Sequence, residues 1–208
     1  MRNQRESFKQ KYTGGISMKD IILNNYFWQD GVIRLRAVQS EDWEEHYYNR
    51  FDTPARRLVD YQVELPPTKH EAKSFAEEFA DFTNKHVRIM FTIENLSGDN
   101  LGGINLSGID ERNGTFGIGI QINQDRRGNG YGTRAMRIVL RYAFFERRLH
   151  KFNVSVLEGN DASSKMMRKL GCKQEGVRRQ VVYTSGRYHN EILYGMTREE
   201  FEEAEGKI

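Results

Sequence analysis

One stretch constrains this chain more than any other: "DRRGNGYGT", from Asp125 to Thr133. Glycines stand at 128, 130 and 132, at every second position between two arginines and the start of a long helical pattern. Upstream, "GTFGIGIQIN" alternates as a strand does. Downstream, "YGTRAMRIVLRYAFFERRL" places Ala135, Ile138, Val139, Tyr142, Ala143 and Phe145 on one face, which predicts a helix of about four turns. The loop therefore joins a strand to a helix. Its glycines let backbone N–H groups turn inward, beside first-turn donors and a helix dipole that already favour an anion. A pyrophosphate is the natural guest of such a nest.

Two familiar phosphate loops are excluded. A dinucleotide fingerprint needs G-x-G-x-x-G after a strand of a βαβ unit. Gly128 and Gly130 fit, but Thr133 stands at the third glycine, and the preceding strand belongs to an apparent antiparallel meander. A P-loop needs a lysine that this stretch lacks. A bare strand-to-helix turn would be served by one or two glycines. What remains is Arg127-x-x-Gly130-x-Gly132.

The 208 residues fit one domain with a real core. With 38% hydrophobic and 29% charged residues and 3 prolines, the chain reads as globular rather than disordered. No apolar run approaches the roughly 20 residues of a membrane span, and no signal-peptide core opens the chain; the expectation is a cytoplasmic protein with no membrane partner. The lone Cys172 rules out an intrachain disulfide and reads as a small core residue. Histidines at 46, 70, 86, 150 and 189 show no paired spacing, so no metal is expected. The net charge of +3 hides an asymmetry: Val38 to Lys85 carries eleven acids against six bases, and Asp125 to Gln180 fourteen bases against five acids. Nucleic-acid binding by the basic half would show a steep salt dependence, but no aromatic stacking motif accompanies it, and no nucleic-acid partner is expected.

Residues 1–30 read as a flexible or loosely docked extension, with Met18 an alternative start, and 31–208 as a single domain. "GVIRLRAV" alternates as a strand. Ser40 is placed to cap a helix through "SEDWEEHYYNRF", and Thr68 with Glu71 forms a capping box before a second, whose Phe75, Phe79 and Phe82 share a face. Strands follow in "RIMFTIEN", "NLGGINLSGIDE" and "GTFGIGIQIN", then the loop and its helix. Next come the strand "KFNVSVLE", the helix "NDASSKMMRKLG" stopped by Gly171, a final hairpin about Ser185-Gly186, and an acidic tail helix. The order is β-α-α-β-β-β-α-β-α-β-β, a mixed α/β (α+β) domain without internal repeats.

The loop, together with "KFNVSVLEGNDASSKMMRKLGCKQEG" and "GRYHNEILYGM", resembles the signatures of the GNAT acetyltransferase superfamily, closest in motif to its ribosomal-protein-alanine and spermidine N-acetyltransferase branches. The resemblance runs from Val32 to Met196 and is strongest from Ile118 to Gly176. It implies a central, mostly antiparallel twisted sheet flanked by helices, and transfer of an acetyl group from acetyl-CoA to an amine acceptor by direct attack in a ternary complex. A homodimer is compatible with it. Gln121 and Ile122 would offer backbone groups to the pantetheine arm, in place of a missing strand partner. Arg127, Gly128, Asn129, Gly130, Tyr131, Gly132 and Thr133 would hold the pyrophosphate through N–H groups, with Arg126 or Arg127 adding charge. Asn160 would either bond the pantetheine amide or simply cap its helix, and Lys165 would sit near the adenine or 3′-phosphate end. Backbone N–H groups near a β-bulge in the Gly119–Ile122 strand would steady the oxyanion.

Two expected catalytic groups are missing. Phe116-Gly117 occupies the place of a common Ala-Glu pair, and Met167 the place of a common tyrosine. Ser163 matches a serine that protonates or solvates the departing thiolate, its plainer role being a cap or a solvent-facing side chain. A thiol pKa near about 8.5 makes that leaving group tolerable without an acid. Glu191, Tyr183 and Tyr188 are candidates to face the acceptor. Deprotonating an amine of pKa about 10.4 at pH 7 costs about 4.6 kcal/mol, against about 1 kcal/mol for an α-amine near about 7.8. The missing glutamate and tyrosine thus favour an α-amine, whereas the acid-rich helices favour a cationic acceptor such as a polyamine, an aminoglycoside-like amine or a basic protein N-terminus. A module that binds acyl-CoA without catalysis is the alternative.

Overall fold

Period-two stretches become the strands of one sheet. The computed structural model describes residues 25–83, 85 and 88–206. In chain order it contains β1 (Ile33–Ala37), α1 (Trp43–Asn49), α2 (Thr53–Asp60), α3 (Lys69–Phe79), β2 (Arg88–Asn95), β3 (Asn100–Asp110), β4 (Thr115–Ile122), α4 (Tyr131–Arg141), β5 (Lys151–Leu157), α5 (Asp161–Leu170), β6 (Lys173–Thr184), β7 (Arg187–Thr197) and α6 (Arg198–Glu205). The strand order is β1-β2-β3-β4-β5-β7-β6, antiparallel throughout except where β4 meets β5.

The sheet is covered on both faces, and alternation in β2 shows how. Ile89, Phe91 and Ile93 join the main core with Leu35, Ile104, Leu106, Phe116 and the apolar stripe of α4, Met136, Val139 and Leu140. Met90 points the other way, into a smaller cluster with Val38 and Phe79 of α3. Thr92, on that same face, donates to Asp42 at 2.9 Å. Arg36 grips Asp42 through both terminal nitrogens at 2.7 Å and reaches Glu94 through Nε at 2.8 Å. Each buried carboxylate in this cluster therefore has its cation.

Of the expected extension, residues 1–24 lie outside the described residues. Residues 25–30 pack against the domain: Trp28 stacks on Phe91 and Tyr142 at ring distances of 4.8 Å, and Asp30 pairs with Arg134 of α4.

Several expectations need correction. Three helices, not two, separate β1 from β2. The extra one, α2, is only 8 residues long and strongly polar, so its periodicity is faint; Asp52 caps it by accepting from the Ala55 N–H, and Pro54 opens it. Ser40 begins a single 3₁₀ turn rather than capping α1, and Asp42 instead accepts from the Gln39 N–H at 2.8 Å. Thr68 does cap α3, but Glu71 turns to Arg50 instead of closing a box. Phe82 lies beyond the end of α3 and packs on Phe91 rather than in line with Phe75 and Phe79. The helix after the glycine loop ends in a π turn, Tyr142–Glu146, whose extra residue rotates the phase. Phe144 becomes fully buried, and Phe145 swings to the rim against Phe201.

Candidate active site

The parallel pair at the centre of the sheet is brief. β4 and β5 pair at Thr115–Lys151 and Phe116–Phe152, and then part. Past that point the β5-facing edge of residues 117–122 has no strand partner, while its other edge stays in register with β3 from Gly117–Ser107 to Ile122–Gly102. The bulge is not within Gly119–Ile122 as expected. It lies on β3, where Gly108 and Ile109 oppose Phe116, next to the divergence, where the added local twist helps the strands to splay.

Two clefts meet in the split. One, ≈ 740 Å³, runs past the glycine loop, α5 and the start of α2; the other, ≈ 680 Å³, opens among α1, α2 and β2 to β5. Alternation along β4 sends successive side chains to opposite faces of the sheet. Ile120 and Ile122 pack toward Gly132 of α4, whereas Gln121 meets Arg56 of α2. Gly117 and Gly119 share Gln121's face, so that wall of the strand is bare except for one amide.

At the loop, Gly128 (φ 82°) and Gly130 (φ 79°) are left-handed, and Gly130 opens α4 with no side-chain cap. The first-turn N–H groups are thus left for an incoming acceptor. Gly132 is needed for closeness: a Cβ there would lie 3.3 Å from Met166 Sδ. Asn129 braces the loop by donating to the carbonyls of Arg126 and Arg127 at 3.0 and 3.2 Å. Tyr131 and Thr133 line the same cleft. Of the two arginines expected to add charge, Arg127 is already engaged within the protein. Its Nε donates to the Ile122 carbonyl at 2.9 Å, and its Nη2 is held by Asp52, so it bolts the loop to the cap of α2. Arg126 is more available: among the described residues it pairs with its neighbour Asp125, and its side chain is 44% exposed.

The second signature helix forms as expected. Asn160 caps α5 by accepting from the Ser163 N–H at 3.1 Å. That bond uses its carbonyl oxygen, so its amide nitrogen is the group left to donate. Asn160, Ser163 and Lys165 all line the loop-side cleft, and none of them lines the other. Met167 is buried, and Cys172 is a core residue whose thiol burial pushes up to about 12.

In the cleft beside α1 and α2, most of the acids are held by arginine. Arg56 binds Glu64 through Nη2 at 2.7 Å and Nε at 3.2 Å, and Asp60 at 2.5 Å; Arg50 binds Glu71 at 2.8 Å and Glu64 at 3.2 Å. Among the described acids of the α1–α2 cleft, Glu45 alone has no arginine partner. It accepts from Asn123 at 3.3 Å, and burial, with the charges of Asp125 and Asp42, raises its pKa. Burial lowers the pKa of His46, which lines the same cleft.

Arg56 also donates from Nη1 to Gln121 Oε1 at 2.9 Å. Because a guanidinium only donates, the amide oxygen must face it, and Nε2 must face away. That Nε2 is buried and has no hydrogen-bond partner. Tyr183 and Tyr188 line neither of the two clefts: they meet edge to face at the β6–β7 tip, more than 60% exposed. Glu191 is buried, paired with Arg178 at 2.9 Å behind the split. Sequence reading missed Tyr61 and Ser155, which line both clefts with a hydroxyl–hydroxyl distance of 3.3 Å. Nothing local marks them, because the end of α2 and β5, 94 residues apart, bring them together.

The split sheet, glycine loop and capped second helix occur in the chain order of the signatures read above. Residues 33–173 match the family of the acetyltransferase (GNAT) domain. The chain belongs to the GNAT acetyltransferases. This acetyltransferase is 31% identical over 178 residues to the SPbeta prophage-derived uncharacterized N-acetyltransferase YokL of Bacillus subtilis, covering 85% of this chain and 96% of that one. Its fold is similar to a spermidine N-acetyltransferase from Vibrio cholerae in complex with CoA and spermine, with a TM-score of 0.72 and 18% identity over 81% of this chain and 97% of that one. It is also similar to RimL, a ribosomal L7/L12 alpha-N-protein acetyltransferase in complex with coenzyme A, with a TM-score of 0.71 and 16% identity over 81% and 95%. The GNAT fold and the use of acetyl-CoA with an amine acceptor follow from membership. Among the described residues, no helix is long and apolar enough to cross a membrane.

Proposed function

We propose that this acetyltransferase lays the pantetheine arm of acetyl-CoA along the unpaired edge of β4, at Gln121 and Ile122, and moves the acetyl group to an α-amine. The observation that carries the reading is that edge, open where two clefts meet and aligned with the uncapped start of α4. The N–H groups from Gly128 to Thr133 would take the pyrophosphate, with Arg126 supplying charge and Arg127 holding the loop in shape. Asn160 would offer its free amide N–H to the arm, Lys165 would serve the 3′-phosphate end, and Ser163 would stand near the sulfur.

Two features support an α-amine, as at a protein N-terminus, over a polyamine. A polyamine needs free carboxylates, and in this cleft arginines occupy nearly all of them. The Gln121 Nε2 is a donor seeking an acceptor. An aminoacyl group carries a carbonyl next to its amine, whereas a protonated polyamine offers only donors. Thiol release should be measured with acetyl-CoA and three amines: a peptide with a free N-terminus, spermidine and Nα-acetyl-lysine amide. The expected order puts kcat/KM for the peptide at least tenfold above the others. Preference for spermidine would refute the α-amine reading. Tight CoA binding without turnover on any amine would make the chain a CoA-binding module.

A further inference from the structure

The acceptor and coenzyme clefts share few residues: Val59, Tyr61, the stretch 118–121, Val154 and Ser155. Only Tyr61, Gln121 and Ser155 among them carry polar side chains, and an amide gives up no proton. A phenol is a far stronger acid than an aliphatic alcohol. We infer that Tyr61 is the proton donor of acetyl transfer, placed at the junction by the end of α2 and paired with Ser155; this rests on the acetyltransferase reading above.

The backbone supports this placement. Tyr61 ends α2 in the left-handed region, φ 63°. That conformation disfavours any residue with a Cβ and is held only where the surroundings over-determine it. The residue lines both clefts. The hydroxyl is 3.3 Å from Ser155 Oγ on β5. Behind it sits Glu191 on β7, across from Leu157 and held by Arg178. Burial raises the pKa of the phenol and the Glu191 charge adds to that, so the group is a proton holder at neutral pH.

The amine nitrogen's lone pair forms the C–N bond to the acetyl carbonyl carbon, and the C–S bonding pair leaves with sulfur. The Tyr61 proton passes to that sulfur, giving a free thiol. The phenolate then takes the proton shed by the nitrogen, directly or through Ser155, and Tyr61 is restored. One proton has moved from nitrogen to sulfur. A phenol, pKa about 10, is a weaker acid than a thiol, about 8.5. The donation alone runs uphill, and it is drawn forward by the far more acidic acylated ammonium.

The test is Tyr61→Phe in the full chain, which keeps the ring and removes the hydroxyl. The expected result is a kcat lower by about 100-fold, the low end of general-acid contributions. KM for acetyl-CoA and the calorimetric affinity for CoA should stay within twofold, and the solvent deuterium effect on kcat should shrink toward one. Ser155→Ala, a second variant in case Tyr61→Phe folds poorly, should cost about five- to tenfold in kcat with the same unchanged CoA affinity. A Tyr61→Phe enzyme within threefold of the wild-type kcat overturns the assignment. So does a large kcat loss in Ser163→Ala alongside an active Tyr61→Phe. A wild-type chain that binds CoA yet acetylates no amine overturns the acetyltransferase reading and this one with it.

Discussion

Replacing Gln121 by methionine should make the protein more stable and less active. In the folded chain the amide nitrogen is buried without a partner, a deficit of about 1–3 kcal/mol relative to an apolar group of similar shape. Methionine has similar length and no donor, so that deficit disappears. The loss on the other side is the Arg56 hydrogen bond to Oε1, about 1 kcal/mol. It is softened because Arg56 keeps Glu64 and Asp60, and its side chain is 21% exposed and open to water. Taking about 2 kcal/mol for the orphan, the net gain is about 1 kcal/mol, or about 2–4 °C in Tm for a domain of this size. Scanning calorimetry reads the stability, and thiol release from acetyl-CoA with a peptide amine reads the function, where kcat/KM should fall at least tenfold. A Tm lowered by 2 °C or more would refute the reasoning, since it would mean that Nε2 is satisfied in solution.

Gly130→Val should cut CoA affinity by at least tenfold in calorimetry while the circular dichroism spectrum is kept. The cause is the left-handed backbone, not a clash, because a Cβ there meets open space; Gly130→Asn, which tolerates that region, should retain more affinity. Asp52→Ala removes both the cap of α2 and the anchor of Arg127, and should lower stability by about 1–2 kcal/mol in urea titration. Acid should weaken the fold through Asp42. Burial opposes its charge, but Arg36, the Gln39 N–H and Thr92 overcome that and hold its pKa below the ordinary value. Because the folded pKa is the lower one, the stabilisation is full above the unfolded value of about 3.9 and drains away as pH falls through the folded value. Asp42→Asn should therefore be less stable at pH 6 and show a flatter decline below pH 4 in urea midpoints.

The parts of the site that were legible in the sequence are local ones. Gly128, Gly130 and Gly132 announce a strand-to-helix nest, and Asn160, three residues before Ser163, announces a cap; both follow from backbone chemistry within one turn. What escaped depends on distance. Arg127 looks like a free cation until Asp52, 75 residues earlier, is folded beside it. The acids of α1 to α3 look like a cationic-substrate trap until Arg50 and Arg56 turn inward on them. Phe144 and Phe145 exchange places because one extra residue in a π turn shifts a helical phase that sequence counts at 3.6. Tyr61 carries no motif, and its importance comes from a left-handed helix end combined with residues of β5 and β7.

Strand edges normally endanger a protein, since an exposed row of unpaired backbone groups recruits other chains and seeds aggregation. β4 carries such a row in the middle of its sheet instead of at the rim. Neighbouring strands sit about 4.8 Å apart and need room for side chains above and below. With β5 diverging on one side and α2, α4 and α5 walling the clefts, a second strand would have to bring its side chains into a slot already lined on both faces. A slender, unbranched chain need not. The same geometry that leaves the edge unpaired thus also shields it from other strands, and a mutation that widened the splay between β4 and β5 should register first as aggregation on storage.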